Sequence, residues 1–226
     1  MNVKITTELH DQLCKYNFKE YLFGSQLHGI ATEESDFDYI RVIPDTFYDQ
    51  IHTEAKYLPN IHSWQYDDKE NNTQYVWTTE TQFYRNLFSG DGNMIADVVL
   101  LSDDWGQMES IFFCRTYKII KGFLGVGKRD LKLHGNVEKK RFHAYRSFMM
   151  AEMLMAKRLP TVNDIQNLKA KFLPSKDELL NKEQKLRDEL NHLLNEGLVD
   201  LYPHFIETND LVRVMVGANN VKEFKY

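Results

Sequence analysis

Two aspartates one residue apart, Asp36 and Asp38, open the apolar run DFDYIRVIP, which Pro44 stops. In an extended chain alternate side chains share a face, so both carboxylates point the same way. Adjacent carboxylates repel unless a cation or a shared proton relieves them. Two readings stand: a solvated turn with Asx-type hydrogen bonds, or a cation site. A third acid, Asp97, interrupts the apolar run from Met94 to Leu101, which reads as a buried strand. A carboxylate there is costly unless it is paired, protonated or bound to metal. It is either a hydrogen-bonded strand-end group or a ligand. If strand 94–101 lies beside strand 37–43, all three acids converge. Three hard oxygen donors suit Mg²⁺ or Mn²⁺. Such a site can neutralise a triphosphate and activate an attacking hydroxyl.

Upstream, the strand KEYLF runs into Gly24-Ser25, eleven residues before Asp36. Glycine lets the backbone turn sharply and approach a ligand closely. The N–H groups after such a turn, with the Ser25 hydroxyl, can hold phosphate oxygens. A phosphate cradle beside a metal-binding carboxylate pair forms a coherent site for a nucleoside triphosphate. His28 follows in the same turn, where it either touches substrate or closes the turn. Residues 126–146 carry seven Lys and Arg against two acids, in a chain whose net charge is −5. Lys139, His143 and Arg146 share a face at helical spacing, with Lys140 beside it. That face meets a triphosphate tail or an RNA backbone, or it is simply solvated.

The elements that position these groups follow from periodicity. Residues 2–17 are expected as an amphipathic helix through Leu9, Leu13 and Tyr16. TQYVWTTE alternates as a strand, and ETQFYRNLFSGDG reads as a helix closed by glycines. Residues 45–72 give no firm assignment, and DLVRVMVGANN is ambiguous between helix and strand. From about residue 107 the pattern turns helical. One stripe runs through Met108, Ile111, Phe112 and Ile119, and a second helix reaches Pro160. A third opens on the capping box Ser175–Glu178 and closes at Gly197. The aromatics Trp64, Tyr66, Tyr75, Trp77, Phe83 and Tyr84 read first as core, and Met149, Met150, Met153 and Met155 as helix packing. The fold class is mixed α+β. A small sheet with flanking helices spans 1–106, and a mainly helical region packed on it spans 107–226.

The apolar-Gly-Ser step followed by Asp-x-Asp resembles the DNA polymerase β-like nucleotidyltransferase superfamily. The stretch FGSQLHGIATEESDFDYIRV looks more narrowly like the "predicted nucleotidyltransferase" branch of bacteria and large phages. GNMIADVVLLS resembles that branch's segment carrying the third acid. The branch usually has Asn-Pro and a glutamate there; this chain has no proline and has Asp97. KKRFHAYRSFMMAEMLMAKRLP resembles its helical segment. The resemblance implies that Gly24 and Ser25, with His28, Lys140, His143 and Arg146, bind the triphosphate. It implies that Asp36, Asp38 and Asp97 are the catalytic, metal-ligating acids, served by Mg²⁺ or Mn²⁺. The implied activity moves a nucleoside monophosphate from an NTP to the hydroxyl of an RNA end such as tRNA, a protein or a small molecule. A non-catalytic nucleotide- or RNA-binding module, or an antitoxin-like partner protein, is the alternative.

Charge and composition exclude a globally basic nucleic-acid coat, and the histidines lack paired zinc spacing. Cys14 and Cys114 read as reduced, buried thiols. No run approaches the roughly 20 apolar residues of a membrane span, and no secretory leader is visible. A cytoplasmic protein is expected.

Overall fold

The computed structural model describes residues 3–47, 63–90, 93–101 and 116–198. Five strands form one mixed sheet. They are β1 (Val3–Lys4), β2 (Lys19–Phe23), β3 (Phe37–Ile43), β4 (Ser63–Asp68) and β5 (Thr73–Thr79), in the order β1-β4-β5-β3-β2. β3 pairs antiparallel with β2 and parallel with β5, while β4 and β5 form a hairpin. The hairpin turn is local polar chemistry. Asp68 Oδ1 accepts from the backbone N–H groups of Glu70 and Asn71, and Asn72 takes the left-handed φ of 49° that asparagine tolerates. β4 falls within the 45–72 stretch left unassigned from sequence, and residues 48–62 lie outside the described residues.

Alternation along the strands sorts their side chains onto two faces. Ile40 and Val42 of β3 and Val76 of β5 join the larger core. Ile43 and Trp77 pack with Leu13 and Trp64 in a smaller one. Helix α1 (Thr7–Leu13) closes that second face, and the Thr6 side chain caps its start. Residues 2–17 are thus an edge strand followed by a short helix, not one helix. Trp64, Trp77, Phe83 and Tyr84 are buried, as the core reading of the aromatics expects, while Tyr66 and Tyr75 are half-buried.

Helices cover the other face. They are α2 (Gly24–Leu27), α3 (Glu80–Ser89), α4 (Asn93–Leu101), α5 (Thr116–His134), α6 (Glu138–Met155), α7 (Val162–Lys169) and α8 (Lys176–Asn195). α3 ends at Gly90, whose left-handed φ of 74° terminates it as expected. α8 opens on the Ser175–Glu178 capping box, with both reciprocal hydrogen bonds made. α6 stops at Met155, before Pro160 is reached. The architecture is mixed α+β with a helical C-terminal region. One core unites it, since Phe123 and Leu124 of α5 and Phe148 of α6 cluster with Ile40 and Val42.

One element differs in kind from its sequence reading. Residues 94–101 are helix, not strand. Ile95, Ala96, Asp97, Val98, Val99 and Leu100 are all buried, so residues 95–100 of α4 are enclosed on every side. An apolar run buried all round has no period by which to tell helix from strand. Cys14 also departs from expectation: it is exposed, and its Sγ accepts from Arg41 Nη1 at 3.2 Å. Cys114, the stripe residues Met108, Ile111 and Phe112, and DLVRVMVGANN lie outside the described residues. Among the described residues, no helix is long and apolar enough to cross a membrane.

Candidate functional site

β2 and β3 lie antiparallel with Phe23 opposite Asp38, which sets the residue after Phe23 against that carboxylate. That residue is Gly24, at φ +69°. A Cβ at this position would run into the Asp38 carboxylate. Glycine is needed twice over here, for the left-handed turn and for the close approach. Asp38 stands on the helix-facing side of β3, the side that Ile40 and Val42 continue into the core. Asp36 precedes the strand and is exposed. Burial, and next the negative charge of Asp36, push the Asp38 carboxyl up to about 6, against the pull of Lys139. The two acids therefore sense each other, as their spacing implies.

The loop between α2 and β3 is fixed from two directions. Gly29, at φ +64°, packs its backbone against α7, where Gln166 Nε2 donates to its carbonyl at 3.1 Å. Lys169 Nζ donates to the Ile30 carbonyl at 3.1 Å. Thr32 and Ser35 then close a turn, with the Thr32 N–H donating to Ser35 Oγ at 2.9 Å. This delivers Asp36 to the start of β3.

Asp97 sits on α4, with its side chain 5% exposed. Its Oδ2 accepts from Arg146 Nη2 at 2.9 Å and from His28 Nε2 at 3.1 Å. A carboxylate only accepts, so the Asp97 contact assigns the proton to His28 Nε2, although Arg146 Nη1 lies 3.0 Å from that nitrogen as well. Nε2 carries the proton toward Asp97, and Nδ1 accepts from Arg146 Nη1 at 2.5 Å. Burial holds His28 below the usual histidine range, although the hydrogen bond to Asp97 opposes this. His28 is thus a neutral bridge between the Gly24-Ser25 turn and α4. The placement of Asp97 on a strand beside β3 is overturned by the helix, and its ion pair with Arg146 engages one oxygen of the carboxylate, Oδ2.

A cleft of about 970 Å³ gathers all nine residues singled out from sequence: Gly24, Ser25, His28, Asp36, Asp38, Asp97, Lys140, His143 and Arg146. Its basic wall comes from α6, with Lys139 and Lys140 in the first turns and Arg146 deeper. Burial, and next Arg146 and Lys140, depress His143 to about 4. At neutral pH it is uncharged and offers a phosphate a hydrogen bond only. The 126–146 basic run divides by function. Lys128 pairs with the buried Glu183 at 3.0 Å, and Arg141 donates to the Gly135 and Asn136 carbonyls, both at 3.3 Å. Sequence reasoning did not single out Asp130, Lys169 or Lys171 as lining the cleft. Asp130 is buried, with Arg129 at 3.4 Å and Lys140 at 3.9 Å. The two lysines flank the end of α7, and nothing local in the sequence announces that α7 returns to this loop.

Among the described residues, no three His, Cys, Asp or Glu side chains form a group that could hold a metal ion. The Asp36–Asp38 pair nevertheless fits magnesium, which takes one or two carboxylates and completes its shell with substrate phosphates and water. Burial first, and then the neighbouring Asp36, raise the proton affinity of Asp38, and Lys139 offsets this only in part. No protein-family model matches the chain, and no curated protein matches it.

Proposed function

We propose that the chain is a metal-dependent nucleotidyltransferase that moves a nucleoside monophosphate from an NTP to an acceptor hydroxyl. The observation that carries this reading is the seating of Gly24 against Asp38. A turn free of side-chain bulk touches one member of a mutually repelling carboxylate pair, inside a cleft with a cationic wall. Asp36 and Asp38 would hold Mg²⁺ or Mn²⁺. When bound, the ion supplies positive charge to the reacting phosphate and lowers the pKa of a coordinated hydroxyl. The Gly24-Ser25 turn would hold the triphosphate through backbone N–H groups and the Ser25 hydroxyl. Lys139 and Lys140 would neutralise its tail, and Arg146 is the fork-shaped donor suited to phosphate oxygens. In the transfer the acceptor oxygen bonds to the α-phosphorus. The bond from that phosphorus to the bridging oxygen breaks, and pyrophosphate leaves. The acceptor's proton passes to solvent.

The test is label transfer. The protein is incubated with Mg²⁺ or Mn²⁺ and each α-phosphate-labelled ribonucleotide, alone, with total tRNA, and with cell lysate. Label moving onto RNA, protein or a small product with the wild type, and lost in the Asp36→Ala/Asp38→Ala double variant, is the expected result. Equal transfer by that variant would refute the assignment.

A further inference from the structure

Asp97 and Arg146 meet by one prong only. Arg146 Nη2 donates to Asp97 Oδ2 at 2.9 Å. Asp97 Oδ1 and Arg146 Nε are both buried and have no hydrogen-bond partner among the described residues. A guanidinium and a carboxylate frequently make two parallel bonds. Here His28 occupies Arg146 Nη1 and also donates to Oδ2, so the pair is held in a partial match. Polar atoms buried without partners are expensive, and both residues line the cleft. Arg146 is therefore a cation on the cleft wall whose present partner satisfies it incompletely. A polyphosphate entering the cleft offers it more acceptor oxygens than Asp97 does.

We propose that Asp97 is a positioning residue that stores Arg146, and that a triphosphate tail draws the guanidinium off Asp97. This rests on the nucleotide reading above and changes the role of the third acid. Asp97 competes with the phosphates for one arginine instead of ligating the metal. The two roles give opposite signs on substitution. Loss of a metal ligand weakens magnesium-dependent binding. Loss of a competitor strengthens polyphosphate binding, with or without magnesium.

The experiment measures binding of inorganic tripolyphosphate by calorimetry, in EDTA and in Mg²⁺, for the wild type, Asp97→Asn, Arg146→Gln and the double variant. Asp97→Asn is expected to bind about tenfold more tightly than wild type in both buffers, the scale of one hydrogen bond to a charged group. Arg146→Gln is expected to bind about tenfold more weakly, and the gain from Asp97→Asn must vanish in its background, which a merely structural effect of Asp97 would not do. Equal or weaker binding by folded Asp97→Asn, with wild-type binding intact, overturns this proposal alone. No tripolyphosphate binding by the wild type sinks the nucleotide reading and this proposal with it. The wild type gives a second readout if Asp97→Asn does not fold. The Arg146 Nε–Hε NMR signal, identified by its loss in Arg146→Gln, must move at tripolyphosphate saturation. A signal that stays put at saturation contradicts the proposal.

Discussion

Asp38 carries the most information of any single residue in the cleft. Its carboxyl is raised from the ordinary 3.8 to about 6, first by burial and then by Asp36. A group whose folded value exceeds its unfolded value favours the folded state most at low pH. That advantage is lost as pH rises through about 6. Without metal, Asp38→Asn is therefore expected to melt at a higher temperature than wild type above about pH 7, with the gap closing as pH falls toward 4; thermal melts across this range in EDTA check it. Wild type and variant changing in parallel across that window would show that Asp38 ionises freely. His143 works in the opposite sense. Its depressed value of about 4 gives stability that is present above the ordinary 6.5 and lost as pH falls. The comparison with Asp38→Asn cancels that contribution. These residue types were legible in the sequence because their spacing alone puts two like charges together. The Asp97–Arg146 pair was not. It joins helices 49 positions apart, and no local signal couples a lone acid in an apolar run to a distant arginine.

At the scale of elements, the site depends on β2 delivering Gly24 beside β3. Gly24→Ala places a side chain at φ +69° and into the Asp38 carboxylate. It is expected to cost about 1–2 kcal/mol from backbone strain alone and to displace a proposed ligand, so urea denaturation and nucleotide binding should both report it. Gly125→Ala is the control, since a Cβ there meets nothing within 4 Å. It lies in the middle of α5, and the substitution is expected to stabilise by about 0.4–1 kcal/mol. The two strands, their turn, α3 with its terminal glycine, and the α8 capping box were readable because each rests on neighbours in sequence. α4 was misread because enclosure erased its period, and β1 because a two-residue edge strand is defined by its pairing with β4. The attachment of the 28–36 loop to α7 was equally hidden. Its hydrogen bonds from Gln166 and Lys169 span 137 and 139 positions.

For the molecule as a whole, sheet and helical region are not independent. Ile40, Val42 and Val76 on one face of the sheet share a buried core with Phe123, Leu124 and Phe148, and α3 and α4 contact both the sheet and α5. Gly127 admits the Phe148 ring so closely that a Cβ would collide with it, so α5 and α6 form a tight pair. A fragment ending at residue 106 would expose this apolar surface to water. It is expected to lack the dispersed NMR spectrum of a folded chain, and a well-dispersed spectrum would show that the sheet stands alone. The composite core also explains why the cleft is built from both halves, with Asp36 and Asp38 at the head of β3 and Lys139, Lys140 and Arg146 on α6. The measurement that tests the central claim most directly is nucleotide affinity as a function of Mg²⁺, for the wild type and Asp38→Asn. If the carboxylate pair holds a metal on the triphosphate, wild-type affinity rises with Mg²⁺ and that rise disappears in the variant. Affinity that is indifferent to Mg²⁺ in the wild type, or that rises equally in both proteins, would contradict the account.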